Sequence, residues 1–413
     1  MRQSQLFTKT IKNLPKDETS FNAQTLIRAG FINKLGAGIY TFLPLGLRVL
    51  NKINKIVREE IDAIGGQELL MPALTPKESW QITDRWENFD ALFRLKGNDD
   101  KEYALGATHE EIVTPLAQEY TFSYKELPFA VYQIQTKFRN EKRAKAGLIR
   151  GREFLMKDLY SFHPDQESLD AYYEKAKDAY SKIYERLGLG EKTYMTYASG
   201  GAFSKYSHEY QTITEAGEDH IYICDDCRIA INREIIDEQK GCPNCGKVDW
   251  REAKAIEIGN IFKLGTRFSE PFNFTYTDNT GAKKPVIMGC YGLGPSRIMG
   301  TIVELYNDGR GLTWPAAVAP FTVHLLSLQK NEEADDIYQK LQAAGFETLY
   351  DDRETVGNGE KFADADLIGC PWRLVVSTKA LAAGGIEVKP RVDGEAEIVS
   401  PDKLIDYLRT ALC

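Results

Sequence analysis

Apolar residues at Val49, Ile53, Ile56, Val57, Ile61 and Ile64 recur three and four positions apart, which predicts an amphipathic helix over residues 45–64 with Gly65-Gly66 as its stop. Residues 68–71 follow as a short strand that ends at Pro72. Farther on, residues 131–139 and 153–162 are strand-like and are separated by a basic loop. These patterns predict an antiparallel sheet with helices around it, an α+β domain. The clearest seam runs from Gly311 to Pro320, where Pro315 and Pro320 end one region. Beyond it, strands at 321–328, 347–350 and 372–377 alternate with helices at 332–344, closed by Gly345, and at 361–368. That alternation predicts a small C-terminal α/β domain.

Length adds to this picture: 413 residues correspond to two or three domains at roughly 150 residues each. A hydrophobic fraction of 43% and a charged fraction of 27% are ordinary for a soluble globular chain, and exclude collagen, a disordered tail or a small disulfide scaffold. No run approaches 18 uninterrupted apolar residues, and the stretch from Met1 to Phe7 turns polar without a signal-peptide core. A cytoplasmic protein without a membrane span is expected. The net charge of −8 predicts no general affinity for phosphate backbones, so any nucleic acid must meet a local basic surface.

The seven cysteines are Cys224, Cys227, Cys242, Cys245, Cys290, Cys370 and Cys413. Four of them form two C-x-x-C pairs, which in a cytosolic chain favours a metal over disulfides. The spacing Cys224-x2-Cys227-x14-Cys242-x2-Cys245 is close to a four-thiolate zinc ribbon, and the turn Cys242-Pro243-Asn244-Cys245-Gly246 aims two sulfurs at one ion. Such a zinc would be structural, because four thiolates leave no position open for water. Four free thiols are the alternative.

Three further segments carry candidate chemistry. Phe138-Arg139-Asn140-Glu141 precedes Lys142, Arg143, Lys145, Arg150 and Arg152, then Glu153-Phe154. A loop of this charge between two strands can hold a polyphosphate, with Arg139 paired to a phosphate or carboxylate, Phe154 stacked on a base and Glu141 accepting from an amine. The same residues also make an ordinary solvated hairpin loop. Gly289-Cys290-Tyr291-Gly292-Leu293-Gly294-Pro295-Ser296-Arg297 leads from a strand at 285–288 into a helix and puts Arg297 near a helix N-terminus, where an anion is favoured. Its glycine spacing does not fit a dinucleotide-binding fingerprint. In Thr108-His109-Glu110, hydroxyl and carboxylate lie on one face of an extended segment and can bind an ammonium, though Thr108 serves equally well as a helix N-cap.

Together these segments resemble the class II aminoacyl-tRNA synthetases, with the helix and strand before Pro72 similar to that class's dimer-forming first motif. Thr108-x-Glu110, Arg150-Gly151-Arg152-Glu153-Phe154-Leu155-Met156-Lys157-Asp158, Ser207-His208-Glu209-Tyr210, Gly289-Cys290-Tyr291-Gly292, Trp314-Pro315, Asp351-Asp352-Arg353 and the stretch from Lys361 to Gly369 are similar, nearly end to end, to bacterial-type prolyl-tRNA synthetases. The resemblance implies proline, ATP with Mg²⁺, and tRNA(Pro) as partners, and a homodimer. It implies that Arg139, Glu141 and Arg297 serve catalysis. Thr108, Glu110, Arg139, His208 and Cys290 would hold proline. Arg139, Glu141, Arg150, Phe154, Glu209 and Arg297 would hold ATP, with Glu209 a candidate Mg²⁺ ligand. Arg353, Glu354 and Lys361 would meet the anticodon. Threonyl, seryl, histidyl and glycyl relatives share the generic motifs, but Thr108-x-Glu110 and Cys290 favour the prolyl reading.

The resemblance also implies domains: a class II antiparallel sheet flanked by helices at 1–221 and 253–315, a short cysteine-pair insertion at 222–252, and an anticodon-binding domain at 316–413. Most bacterial relatives carry an editing domain between the second and third motifs. Tyr210 and Gly289 are only 79 residues apart, which leaves no room for one of typical size. Glu257-Ile258-Gly259-Asn260-Ile261-Phe262 resembles the family's rejoining segment, with Asn260 where His is usual. No editing in cis is therefore expected, and either a free-standing editing hydrolase clears misacylated alanine or the pocket tolerates it.

Overall fold

The computed structural model describes residues 1–14, 17–142, 144–201, 203 and 205–411; Arg143 of the basic loop and Cys413 lie outside the described residues. Its contacts divide the chain into two units, one made of 36–39 and 53–301, the other of 1–35, 40–52 and 302–413. Among the described residues no helix is long and apolar enough to cross a membrane.

The helix predicted at 45–64 is α1 (Pro44–Ala63), and Val49, Ile53, Val57 and Ile61 are its fully buried stripe. Gly65 ends it at φ +86°, a conformation that costs an L side chain strain. The strand predicted at 68–71 is displaced to β1 (Gly66–Glu68). Met71 instead donates its N–H to Gln133 Oε1 at 3.0 Å and accepts from the Gln135 side chain, so amide side chains replace its ladder bonds.

The first unit is α+β and rests on a nine-stranded sheet. The predicted hairpin is β2 (Phe129–Phe138) and β3 (Glu153–His163), paired antiparallel from Phe129↔Phe162 to Phe138↔Glu153. Helix α2 (Glu110–Gln118) precedes it. Helix α3 (Gln166–Arg186) follows, capped by Asp165 Oδ1 accepting from the Ser168 N–H at 2.8 Å, and buries Leu169, Tyr173, Ala176, Tyr180 and Ile183, the stripe that faces the sheet. Strands β4 (Thr193–Ser199), β5 (Tyr206–Ile213), β6 (Asp219–Cys224), β7 (Ile229–Asn232), β8 (Arg251–Gly265) and β9 (Ile287–Leu293) complete the sheet in the order β5-β4-β7-β6-β8-β9-β3-β2-β1. Only the β1–β2 and β4–β7 neighbours are parallel. Because β5 also pairs with β8, strands β5, β4, β7, β6 and β8 close into a ring around Tyr194, Ile221, Ile223, Ala230 and Ala255.

Strand β9 runs through the glycine-rich segment rather than stopping at Met288, and α4 (Pro295–Leu305) starts at the predicted proline. A Cβ on Gly289 would lie 2.4 Å from the Tyr291 hydroxyl, whereas one on Gly292 would meet only the Asn260 carbonyl, at 3.8 Å. The first glycine serves packing; the second keeps a cavity open.

In the second unit, β10 (Val323–Leu328), α5 (Asn331–Ala343), β11 (Thr348–Asp351), α6 (Asn358–Ile368), β12 (Trp372–Ser377), β13 (Ile386–Pro390) and β14 (Glu397–Val399) form a five-stranded sheet with helices. Its order is β11-β10-β12-β13-β14, parallel across the first three strands and antiparallel beyond. Leu325, Leu341, Leu374, Val376, Ile386 and Leu404 fill its core. The predicted alternation is present within a few residues.

Candidate active site

A cavity of about 280 Å³ in the first unit is lined by Thr108, Glu110, Arg139, Phe154, Cys290 and Arg297, six of the residues expected to hold substrates. Strand ends and helix starts put them there: Arg139 just beyond β2, Phe154 in β3, Cys290 in β9, Glu110 at the start of α2 and Arg297 in the first turn of α4.

Glu110 is fully buried, and its carboxylate accepts from the Thr108 hydroxyl at 2.5 Å and from the Cys290 thiol at 3.2 Å. His109, not Thr108, is the N-cap of α2, and no side chain caps it; Glu110 is already helical, so the two do not share an extended segment. They meet because the Thr108 side chain turns to the carboxylate. Burial and Glu110 push the Cys290 thiol well above its ordinary value, which makes it a donor and pocket wall, not a nucleophile.

Arg85, which the sequence reading missed, completes this end. Its Nη1 lies 3.3 Å from Glu110 Oε2 and 2.8 Å from Glu111 Oε1, and the guanidinium sits 4.8–5.5 Å from the rings of Trp80, Phe89, Phe203 and Phe268. Asp84-Arg85-Trp86 carries no spacing that would single out this arginine; the only signal is a cation in an aromatic-rich stretch. Beneath it, the His109 ring binds the Pro72 carbonyl through Nε2 at 2.9 Å, so Nδ1 accepts from the Lys137 ammonium at 2.8 Å. Lys137 also pairs with Asp158 at 2.9 Å. Burial and this lysine hold the His109 ring below its usual pKa, hence neutral.

The other end is basic. The Arg139 guanidinium stands 5.4 Å over the Phe154 ring, and its Nε is buried without a hydrogen-bond partner. Burial and neighbouring Arg297 push Arg139 below the ordinary arginine value, the mark of a cation short of counter-charge. Arg297 donates from Nε to the Ile149 carbonyl at 2.9 Å and from Nη1 to the Glu257 carbonyl at 2.7 Å. An adjoining pocket, shared by Arg139 and Arg297, contains Glu141 and Arg150. There Arg150 pairs with Glu141 at 3.2 Å and Glu218 at 2.7 Å.

Glu209 and His208 part company. Glu209 Oε2 accepts from Gln211 at 2.8 Å and Asn232 at 3.0 Å, and the Asn260 amide, which lines the cavity, bridges Glu209 Oε1 at 3.3 Å and Glu257 Oε1 at 3.2 Å. Burial and Glu257 push the Glu209 carboxyl up to about 8. The expectation that His208 lines the ring pocket is corrected. Successive residues of β5 face opposite sides of the sheet, so its ring packs between Tyr173 and Tyr197 and bonds the Tyr173 hydroxyl at 2.8 Å, away from the cavity.

The four cysteines converge, their sulfurs all within 4.8 Å of one another and those of Cys224 and Cys245 3.6 Å apart. A tetrahedron with metal–sulfur bonds of about 2.3 Å has edges of about 3.8 Å, so the donor set fits one soft ion. In the second unit, Arg353, Glu354 and Lys361 line one pocket with Gln329, Asn331 and Asn358. Arg353 and Lys361 are not free cations in a solvated loop. Arg353 grips Asp351 through two nitrogens and Asp364 through one, and buried Lys361 donates to the Ser327 carbonyl at 2.7 Å. Adjacent Asp351 and Asp364 draw both inward. Glu354 stays exposed and accepts from Asn331 at 3.2 Å.

Known proteins share this architecture. Residues 93–306 match the tRNA synthetase class II core domain (G, H, P, S and T), and residues 316–411 match an anticodon binding domain. Proline–tRNA ligases of Geobacillus sp. (strain WCH70) and Bacillus cytotoxicus are 37% and 35% identical over 568 aligned positions that take in all of this chain and all of each relative. In fold, the chain is similar to a prolyl-tRNA synthetase of Cryptosporidium parvum solved with halofuginone and AMPPNP, with a TM-score of 0.78 at 18% identity over 95% of this chain and 76% of that one. Full-length identity above a third, with both matched domains in the same order, establishes that the chain belongs to the proline–tRNA ligase family of class II aminoacyl-tRNA synthetases.

Proposed function

We propose that this chain activates proline with ATP and transfers it to the 3′-hydroxyl of the terminal adenosine of tRNA(Pro). The observation that carries the reading is a single cavity with a hydroxyl–carboxylate pair at one end and, at the other, Arg139 short of counter-charge beside Arg297. Thr108 and Glu110 bind the prolyl nitrogen, and Cys290 walls the ring. Arg139 bridges the proline carboxylate and the α-phosphate. A carboxylate oxygen attacks phosphorus in line, a P–O bond forms, the α–β bridging P–O bond breaks, and pyrophosphate leaves with the electron pair. Arg139 and Arg297 stabilise the charge that develops, and Phe154 and Glu141 hold adenine. The ribose hydroxyl oxygen of tRNA then attacks the prolyl carbonyl carbon, the bond from that carbon to the phosphate oxygen breaks, and AMP leaves with the electron pair while its phosphate takes up the hydroxyl proton. Positioning and electrostatics suffice, so no side chain acts as a nucleophile.

Buried Glu209 and half-buried Glu257, a carboxylate pair of hard oxygen donors joined by the Asn260 amide, suit Mg²⁺, which neutralises polyphosphate charge when bound. Cys224, Cys227, Cys242 and Cys245 suit a structural Zn²⁺. Arg150 exchanges its surface carboxylates for the β/γ-phosphates, and the pocket at Arg353, Glu354 and Lys361 faces the anticodon. The working form is a cytoplasmic homodimer. The 568 aligned positions against 413 residues leave 155 without a counterpart here, which supports the reading that the editing domain is missing. A smaller amino acid enters a proline pocket at a cost of only about 1–3 kcal/mol per missing methylene, so a separate hydrolase removes misacylated alanine or the pocket tolerates it.

Amino-acid-dependent ATP–pyrophosphate exchange with proline, alanine, threonine and cysteine tests the reading. Exchange with proline that disappears in Arg139→Ala supports it. Silence with every amino acid, in folded protein, refutes it and points to a tRNA-binding paralogue.

A further inference from the structure

The cysteine cluster and the nucleotide end of the cavity are joined by one hairpin. Cys224 ends β6, pairs with Ile229, and the turn between them carries Cys227. The second knuckle, Cys242 to Cys245, closes on itself through the Gly246 N–H to the Cys242 carbonyl at 2.7 Å. One ion bound to all four sulfurs therefore pins the turn of β6–β7 to the segment that leads into β8. At the opposite end of the same hairpin, roughly 10 Å away at about 3.3 Å per residue, stands Asn232, paired with Ile221. Asn232 is buried, its Oδ1 accepts from the Glu234 N–H at 3.1 Å, and its Nδ2 donates to Glu209 Oε2. Gln211 bridges Glu209 and Asp219, the first residue of β6, at 2.8 and 2.9 Å. Both strands of the hairpin thus reach the Glu209 carboxylate.

We infer that Asn232 is a positioning residue for Glu209 and that the metal-tied cysteine cluster sets its position through the β6–β7 hairpin, so that metal at the cysteines governs Mg·ATP binding and leaves proline binding alone. The inference rests on the proposed function. The ring of β5, β4, β7, β6 and β8 supplies the coupling: the hairpin is hydrogen-bonded along both edges, so a displacement of its turn is passed along both strands to Asp219 and Asn232. Glu110 and Cys290 lie on α2 and β9, outside that ring.

The test compares wild type, Asn232→Ala, Asn232→Asp, Asn232→Gln and Cys227→Ser as full chains. Metal content is read with a chromogenic chelator after mercurial release, Mg·ATP binding by calorimetry, and KM for ATP and proline by pyrophosphate exchange. Wild type and Asn232→Ala are expected to hold one zinc per chain. Asn232→Ala and metal-stripped wild type should each lose roughly ten- to hundredfold in Mg·ATP affinity, with KM for proline within about twofold. Gln at 232 should recover part of the loss and Asp none, since only the amide donates. Stripping metal from Asn232→Ala should add little, because both act on one carboxylate. Unchanged Mg·ATP affinity in Asn232→Ala, additive losses, or an equal loss for proline would overturn the inference. If Cys227→Ser does not fold, the Asn232 variants and metal-stripped wild type still decide it, and unchanged Mg·ATP affinity in the stripped wild type would also overturn the inference. Absence of proline-dependent exchange in wild type would instead count against the proposed function.

Discussion

The two ends of the cavity are charged on opposite plans. At the end proposed for the amino acid, Glu110 is buried among donors from its own chain: the Thr108 hydroxyl, the Cys290 thiol and Arg85. At the nucleotide end, Arg139 has a buried Nε with no partner and a second arginine beside it. In the first arrangement the Glu110 carboxylate is satisfied before any ligand arrives, although Arg85 keeps Nε and Nη2 buried without partners, and this suits a small zwitterion recognised by shape. The second is left incomplete, so that a polyanion supplies what the protein withholds. Preorganised cations in a water-poor cleft act most strongly where negative charge develops.

The difference can be broken at the residue where the ends meet. Arg139→Ala is expected to lower kcat/KM for exchange about a thousandfold, roughly 4 kcal/mol, for proline and ATP alike, as read by steady-state pyrophosphate exchange. A loss confined to ATP would place Arg139 at the nucleotide end alone.

Arg85→Met attacks the Glu110 end. It leaves Glu110 and Glu111 buried without their cation, a loss of about 3 kcal/mol in denaturant unfolding. KM for proline should rise while KM for ATP stays nearly constant.

Next comes pH. The Glu209 carboxyl, pushed up to about 8, carries its proton at neutral pH in the free protein. In the proposed reading, in which Glu209 holds Mg²⁺ as its carboxylate, Mg·ATP affinity should rise as pH rises from 6 toward 8, by up to about tenfold per unit, and level off above. Proline affinity should show no such slope. Glu257→Gln removes the second cause of the shift and should move the midpoint to lower pH.

The smallest effect is expected at the rim. Arg150 pairs with two carboxylates at the surface, so Arg150→Ala should change stability by less than about 0.5 kcal/mol while raising KM for ATP several-fold. Equal changes in stability and KM would assign Arg150 to the fold instead.

Much of this site was legible in the sequence because charge and glycine leave local marks. Arg139 and Phe154 flank one basic loop, and Gly292 and Arg297 share one strand–helix junction. Arg85 was not legible: it sits on a four-residue helix, Arg85–Asn88, and its partners Glu110, Glu111, Phe203 and Phe268 come from about 25 to 180 residues away in sequence. His208 was assigned to the proline pocket by resemblance alone, whereas its strand sends it to the face opposite Glu209, where it packs between Tyr173 and Tyr197. The ion pairs of Arg353 with Asp351 and Asp364, and of Lys361 with Asp351, carried no mark in the sequence.

The sequence by itself determined the helix α1, the β2–β3 hairpin, the α/β alternation after Pro320 and the pairing of cysteines into two knuckles, since each depends on periodicity or spacing within about 30 residues. Tertiary structure alone decided that β5, β4, β7, β6 and β8 close a ring and that Asn232 reaches Glu209. Those contacts join residues whose neighbours in sequence carry no trace of one another. They are set by which strand edges remain to be paired once the local elements have formed, because an unpaired buried backbone edge costs more than almost any side-chain preference can offset.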